Sequence, residues 1–288
     1  MPKISFVIVT YNSAGFISKL LKSIAEFHNN LSEIEIVIVD NSSTDGTVDK
    51  ILNPKSETLN KSKITIIQNK ENVGFAKGIN IGAKKASGEF LLFINPDAVF
   101  EDGDIFEMTK VFESKIDAGL VGGKLLKENG EAEKSAGRFF GFPETLLLAF
   151  GLDEAFGART SPEELSKVDF VSGGFMMVKK DLFERLGGFD ENFFMYVEDM
   201  DLCRRAKDLG FATYFTPSVS LIHASHASSN RSFAIENIYK GIFYYQKKHN
   251  SLLSYKLSSA VLKLKANFLV IMGKILNNKY LADTYSRV

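Results

Sequence analysis

Four short clusters hold side chains whose types and positions suit chemistry. Asp40 closes an apolar run and opens Asp40-Asn41-Ser42-Ser43-Thr44-Asp45-Gly46. A carboxylate there can accept a hydrogen bond from an imide N–H such as that of uracil or thymine, or it can cap a helix or close an Asx turn. Asn95-Pro96-Asp97 leaves a second apolar run. Its single hard oxygen ligand suits Mg²⁺ or Mn²⁺, with a diphosphate and water completing the coordination; an ordinary turn after a strand is the alternative. Glu198-Asp199-Met200-Asp201 follows Phe193-Phe194-Met195-Tyr196. That apolar approach would desolvate a carboxylate and make it a better general base. Capping of a helix start, where the dipole favours ionised acids, explains the same residues without catalysis, and Asp201 can pair with Arg205 four residues on. His223 ends an apolar strand with His226 close behind; its neutral imidazole can join a metal first held by Asp97, or serve structure alone. Arg231 can meet a diphosphate or lie in solvent. Cys203 is expected to be a packing residue.

The elements that carry these clusters follow a simple order. Ile4–Val9, Ile34–Val39, Ile64–Gln68 and Phe90–Ile94 are expected strands. A helix after the first strand places Phe16, Ile17, Leu20, Leu21, Ile24 and Phe27 on one face, and a second is expected over Phe75–Ala86. Strands alternating with helices imply an α/β fold with a mostly parallel, Rossmann-like sheet covered on both faces. Ligands in such sheets sit beyond the carboxyl ends of the strands, where Thr10-Tyr11-Asn12, Asp40 and Asn95-Pro96-Asp97 all fall. Asn72-Val73-Gly74-Phe75-Ala76-Lys77-Gly78 precedes the second helix; its glycines would let backbone approach a ligand, and helix-start N–H groups suit an anion. Beyond residue 126 the pattern changes. Residues 127–168 are expected to be irregular, Val168–Val178 to be a strand broken at Ser172-Gly173-Gly174, Asp181–Leu186 and Glu198–Leu209 to be helices, Phe211–Thr216 and Val219–His223 two strands, and the chain from Ser232 helical.

The totals limit what such a site can rely on. Lys and Arg number 35, as do Asp and Glu, so an anionic ligand must be held locally and nucleic acid is not an expected partner. The single cysteine allows no internal disulfide and fits a reducing, cytoplasmic setting. The first apolar run is too short for a signal peptide, and no uncharged apolar stretch approaches the ~20 residues that span a bilayer.

In order, Val7-Ile8-Val9-Thr10-Tyr11-Asn12, Val39-Asp40-Asn41-Ser42-Ser43-Thr44-Asp45-Gly46-Thr47, Asn72-Val73-Gly74-Phe75, Asn95-Pro96-Asp97, Gly173-Gly174-Phe175 and Glu198-Asp199 resemble the motifs of inverting family 2 glycosyltransferases of GT-A fold. The resemblance is strongest to the branch that includes rhamnosyl- and galactofuranosyltransferases. Each motif is weak alone; the ordered set covers residues 3–250 and is specific. The resemblance implies a donor site of Thr10, Tyr11, Asn12, Asp40, Asn72, Gly74, Lys77, Asn95 and Asp97 for a dTDP- or UDP-linked sugar, rhamnose-like in type. It implies Asp97 and His223 as ligands of a divalent cation, Mg²⁺ or Mn²⁺; Gly173, Gly174 and Glu198 beside the acceptor; and Asp199 as the base. The acceptor implied is a growing cell-surface glycan or lipid-linked saccharide. Many members carry Asp-x-Asp where this chain has Asn95-Pro96-Asp97, so the ion is expected to arrive with the nucleotide sugar.

These readings divide the chain into a glycosyltransferase domain, 1–250, with a nucleotide-sugar half (1–126) and an acceptor half (127–250), and an amphipathic helical tail, 251–288. Leu252, Leu253, Leu257, Val261, Leu262, Leu264, Phe268, Ile271, Met272 and Ile275 give 251–276 a broad apolar face between lysines. Packing on the core and contact with a membrane surface are the two explanations. Two other functions compete. A sugar nucleotidyltransferase would need a glycine-rich basic loop after the first strand, where Tyr11-Asn12-Ser13-Ala14-Gly15 stands instead. A non-catalytic nucleotide-sugar-binding protein would have no reason to keep Asp97, Asp199 and His223 together.

Overall fold

The computed structural model describes residues 3–28, 30–52, 63–224 and 231–288; His226 lies outside them. In chain order its strands are β1 (Ile4–Thr10), β2 (Ile34–Asp40), β3 (Lys63–Gln68), β4 (Phe90–Ile94), β5 (Ala98–Asp102), β6 (Ala118–Leu126), β7 (Ala136–Gly137), β8 (Arg159–Thr160), β9 (Ser166–Val168), β10 (Phe170–Val171), β11 (Phe175–Lys179) and β12 (Ala212–His223). The helices are α1 (Ile17–Phe27), α2 (Thr47–Leu52), α3 (Phe75–Lys85), α4 (Phe106–Ser114), α5 (Phe142–Phe150), α6 (Lys180–Arg185), α7 (Glu198–Asp208), α8 (Arg231–His249), α9 (Leu252–Ile275) and α10 (Lys279–Tyr285).

One large sheet runs β3-β2-β1-β4-β11-β6-β12-β5, with β9 added beside β12. Its first four strands are parallel, the expected consequence of near-continuous β-branched and aromatic runs buried on both faces. In β1, Ile4, Phe6 and Ile8 enter the core beneath α1 and α4, while Val7 and Val9 enter the other core with Phe75 and Ile79 of α3. The second half is mixed: β11 lies antiparallel between β4 and β6, and β12 runs parallel to β6 but antiparallel to β5. A small sheet, β10-β7-β8, stands apart.

Two expectations need correction. The stretch 127–168 is not wholly irregular, because Phe142-Pro143-Glu144 starts α5 with Pro in its first turn and Glu144 accepting the Gly141 N–H. The two strands expected over 211–223 are one, β12. Pro217 lacks an N–H, and the sheet absorbs it as a register shift between Phe215 and Ser220 rather than a break.

The sheet order decides which distant residues meet. β1 and β2 end level, with Thr10 opposite Asp40. Pairing of β4 with β11 sets Ile94 opposite Phe175, so Asn95 donates its N–H to the Gly174 carbonyl. Pairing of β5 with β12 sets Ala98 opposite His223 and delivers the imidazole to Asp97.

Candidate active site

Beyond the ends of β1, β2 and β4 lies a cleft of about 520 Å³ lined by Tyr11, Asn41, Asn72, Gly74, Asn95, Asp97 and His223, among others. A second cleft, about 300 Å³, holds Gly173, Gly174, Arg159, Glu198 and Asp199. Asn95, Glu133 and His223 belong to both walls. The expected metal-binding acid thus faces one compartment and the expected base faces the next.

At the shared wall, His223 Nε2 lies 3.3 Å from Asp97 Oδ1 and 3.1 Å from Asn95 Nδ2, and Nδ1 lies 3.0 Å from Glu133 Oε2. Burial lowers the imidazole pKa, but Asp97 and Glu133 outweigh it and raise it to about 10. Glu133 is a site residue that the sequence did not reveal. It sits in the stretch after β6 with no motif around it, and only the position of β12 puts it behind the imidazole. An oxygen of Asp97 and a nitrogen of His223 converge, which fits a divalent ion in place of the proton they share. No cluster of three or more ligating side chains occurs among the described residues.

Asp199 is the second residue of α7, which starts at Glu198 directly after two consecutive non-glycine residues in the left-handed region, Tyr196 (φ 71°) and Val197 (φ 73°). That conformation is costly, most of all for a β-branched residue. It turns the chain so that Asp199 Oδ2 accepts the Gly173 N–H at 2.9 Å and Oδ1 accepts the Met200 N–H at 2.7 Å. Each oxygen keeps a further lone pair. Burial raises the Asp199 pKa against these two hydrogen bonds and the Arg159 charge. The Glu198 carboxyl is raised well above its ordinary pKa, first by burial and then by the Asp199 charge, and its buried Oε2 has no hydrogen-bond partner among the described residues. At Glu198 desolvation outweighs the helix dipole.

Asp201 faces away from both clefts. Fully buried, it accepts from Arg205 Nε, Lys248 Nζ and His249 Nε2, each at 2.7 Å. The expected pair with Arg205 is present, but it is one arm of a knot joining α7 to α8. Burial pushes the Asp201 carboxyl up, and the hydrogen bond from His249, the Arg205 charge and the hydrogen bonds from Lys248 and Arg205 hold it below the ordinary range. Cys203 is buried in the core, and burial pushes its thiol up to about 12, which fits packing rather than nucleophilic chemistry.

Several residues expected at the donor do not line either cleft. Asp40 is 2% exposed; its oxygens accept from Thr10 Oγ1, Ser43 Oγ and the Ser43 N–H, so it closes an Asx-type turn. Asn12 spends its carbonyl oxygen on the Thr44 N–H. Lys77 lies on the exposed side of α3, and Arg231 is exposed at the start of α8. Asn41 takes the place at the wall, its amide donating to Asn72 Oδ1 and the Gly74 carbonyl. Gly74 lines the donor cleft, but its glycine character answers to protein rather than ligand. With φ 85° it lies against Phe194, whose carbonyl oxygen a Cβ would meet at 2.4 Å, and the adjacent Phe75 N–H donates to that oxygen at 2.7 Å. Gly174 is similarly constrained, a Cβ there lying 2.8 Å from the Asn95 amide.

Known proteins resemble this chain in sequence and in fold. Residues 5–187 match the model of "Glycosyl transferase family 2" and residues 160–229 that of "N-terminal domain of galactosyltransferase". The Escherichia coli rhamnosyltransferase WbbL is 31% identical over 152 residues, 52% of this chain and 57% of that protein, so the match spans little more than half of that relative. A Mycobacterium tuberculosis N-acetylglucosaminyl-diphospho-decaprenol L-rhamnosyltransferase is 24% identical over 250 residues, 78% of this chain and 77% of the relative. The mannosyltransferase PcManGT of Pyrobaculum calidifontis, solved with GDP-Man and Mn²⁺, superposes with a TM-score of 0.61 at 16% identity, covering 99% of this chain and 84% of the other. Staphylococcus aureus TarS 1-349 with UDP-GlcNAc gives 0.58 at 20%, covering 94% and 73%. At these identities the superpositions show a shared GT-A fold.

Proposed function

The chain belongs to glycosyl transferase family 2, and from that premise we propose that it transfers a sugar, rhamnose-like in type, from a dTDP- or UDP-linked donor to a hydroxyl of a lipid-linked or growing cell-surface saccharide, with inversion. The observation that carries the reading is the pair of adjoining clefts, Asp97 in one and Asp199 in the other, with His223 in their common wall. The names of the two rhamnosyltransferase relatives support the sugar class. The mycobacterial relative's name supports an acceptor on a lipid diphosphate.

The donor nucleotide occupies the larger cleft between Tyr11, Asn41 and Asn72, its diphosphate toward Asp97. Asp97 and His223 hold a divalent cation, Mg²⁺ or Mn²⁺, the Mn²⁺ complexes of fold neighbours supporting the class. When bound, that ion offsets the charge developing on the leaving diphosphate. In the smaller cleft, Asp199 takes the acceptor hydroxyl proton. The acceptor oxygen bonds to the anomeric carbon as the carbon–oxygen bond to the nucleoside diphosphate breaks, and that electron pair leaves on the diphosphate. One in-line displacement inverts the centre without a covalent enzyme intermediate. Burial supports Asp199 as base by raising its proton affinity, while the Gly173 and Met200 N–H groups fix its carboxylate plane. Glu198, held neutral by burial, donates a hydrogen bond to an acceptor oxygen.

Asp199→Asn keeps the shape and removes the base. Turnover should fall by ~10²-fold or more while donor affinity, read by calorimetry, stays near wild type. Asp97→Asn should weaken metal-dependent donor capture as well as rate. Wild-type turnover in Asp199→Asn would mean that the base lies elsewhere.

A further inference from the structure

The C-terminal helix α9 is built the wrong way round for a helix whose only task is to cover a core. Ser258, Leu262, Ala266 and Gly273 are its buried residues, and three of the four are small. The opposite face carries the large apolar side chains. Leu253, Leu257, Leu264, Phe268, Ile271 and Ile275 recur at helical spacing along one stripe and are 40–70% exposed. At 100° per residue these six fall within about 60° of arc, while the buried four fall on the far side. Small residues let α9 sit close on α5, α8 and α10; the stripe points away from all three.

The border of the stripe is basic. Between Ser251 and Ala282 the chain has Lys256, Lys263, Lys265, Lys274 and Lys279 and no acidic residue. Lys256, Lys263 and Lys274 are exposed and follow one edge of the stripe. An apolar strip edged by lysines complements an anionic bilayer surface, with side chains entering the acyl boundary and ammonium groups at the phosphates. A second copy of the chain fits less well: stripe against stripe would bring lysines to lysines with no acid on either helix to pair with them. No helix among the described residues is long and apolar enough to cross a membrane, so α9 would lie in the interface plane.

We propose that the exposed stripe of α9 seats this protein on an anionic lipid surface and so presents the acceptor cleft to a membrane-borne substrate. The path from helix to cleft is short. α9 packs on α5 and α8, whose Leu148, Ile238 and Ile242 line the acceptor cleft, and Lys265 Nζ reaches the Leu148 carbonyl at 3.5 Å. The end of α5 adds exposed Phe150 and the following turn adds Leu152 and Phe156. The substrate half of the proposal rests on the transferase reading above; the lipid half does not.

Flotation of the whole protein with phosphatidylglycerol/phosphatidylcholine vesicles and with pure phosphatidylcholine vesicles, in low and high salt, tests it. The wild type should float with the anionic vesicles, less with the neutral ones, and less in high salt. Leu264→Glu, Phe268→Glu and Ile271→Glu together alter only exposed positions; partitioning should fall at least about tenfold with the thermal midpoint unchanged. Lys256→Gln, Lys263→Gln and Lys274→Gln together should remove the preference for anionic vesicles, and this set stays informative if the first misfolds. Transfer to a water-soluble acceptor should be the same in all three proteins, so loss of transfer everywhere indicts the reaction and not the surface. Wild-type protein that stays in the aqueous layer, Glu variants that float as well as wild type, or a dimer in sedimentation that the Glu variants abolish without any vesicle binding would each overturn the proposal.

Discussion

At the scale of single residues, His223 and Asp201 show how differently two buried polar clusters can be used. The His223 imidazole lies between Asp97 and Glu133 at the wall of both clefts, where the proposed cation would replace its proton. Activity should therefore disappear in excess chelator and return with Mg²⁺ or Mn²⁺, and His223→Ala should raise the metal concentration needed for half-maximal rate. Full activity under chelation would remove the ion from the scheme. Asp201 neighbours the proposed base in sequence, yet among the described residues its carboxylate meets Arg205, Lys248 and His249. Asp201→Asn leaves those donors without their shared anion, so it should cost about 3–5 kcal/mol of stability. Measured by denaturant unfolding, that loss should far exceed the effect of Asp199→Asn. Equal stability of the two variants would show that the knot is not structural.

At the scale of elements, the segment before α7 and the turn before α3 act as one piece. Gly74 and Phe75 press against the Phe194 carbonyl, and two residues later the chain passes through the strained Tyr196-Val197 pair into Glu198 and Asp199. Gly74→Ala adds a Cβ to both a left-handed φ and a closed contact. It should destabilise by about 1–3 kcal/mol and, by moving the Phe194 wall of the donor cleft, raise the donor KM more than it lowers kcat. Steady-state kinetics together with thermal unfolding would separate the two effects, and an unchanged donor KM would show that the wall tolerates the shift.

At the scale of the whole molecule, α8 is fastened to the segment between α6 and α7 through charge as well as packing. Asp190, beyond α6, accepts from Lys248 Nζ at 2.6 Å and Tyr244 Oη at 3.0 Å. Burial pushes its carboxyl up, but Lys248 and the Asn192 and Tyr244 donors outweigh it and bring it down to about 2. A depressed acid stabilises the fold above its unfolded value and loses that contribution as pH falls through the folded one. The term should thus be complete above about pH 4 and fade toward pH 2. It should be on the order of 1 kcal/mol, because solvent reaches the pair and screens it. Acid titration of folding stability for wild type and Asp190→Asn should give curves that differ at neutral pH and converge near pH 2; a constant offset would disprove the linkage.

What the sequence determined by itself was local. β-branched runs bounded by turn residues specify β1 to β4 almost to the residue, because such runs have little alternative to a buried parallel sheet. The strand-end motifs located Tyr11, Asn95 and Asp97, which line the larger cleft, and the periodicity of 251–276 revealed its apolar residues. Tertiary structure decided everything that depends on which distant segments pair. The β5–β12 register is what brings His223 to Asp97, a meeting the family resemblance implied, and it adds Glu133, which no motif marked. Ser43 and Thr10 occupy Asp40, a competition among neighbours that residue types leave open. Which side of α9 is covered was settled by the small residues that fit against α5, α8 and α10. Periodicity reports that a helix has an apolar face, but the close approach of its neighbours determines whether that face or the opposite one is buried.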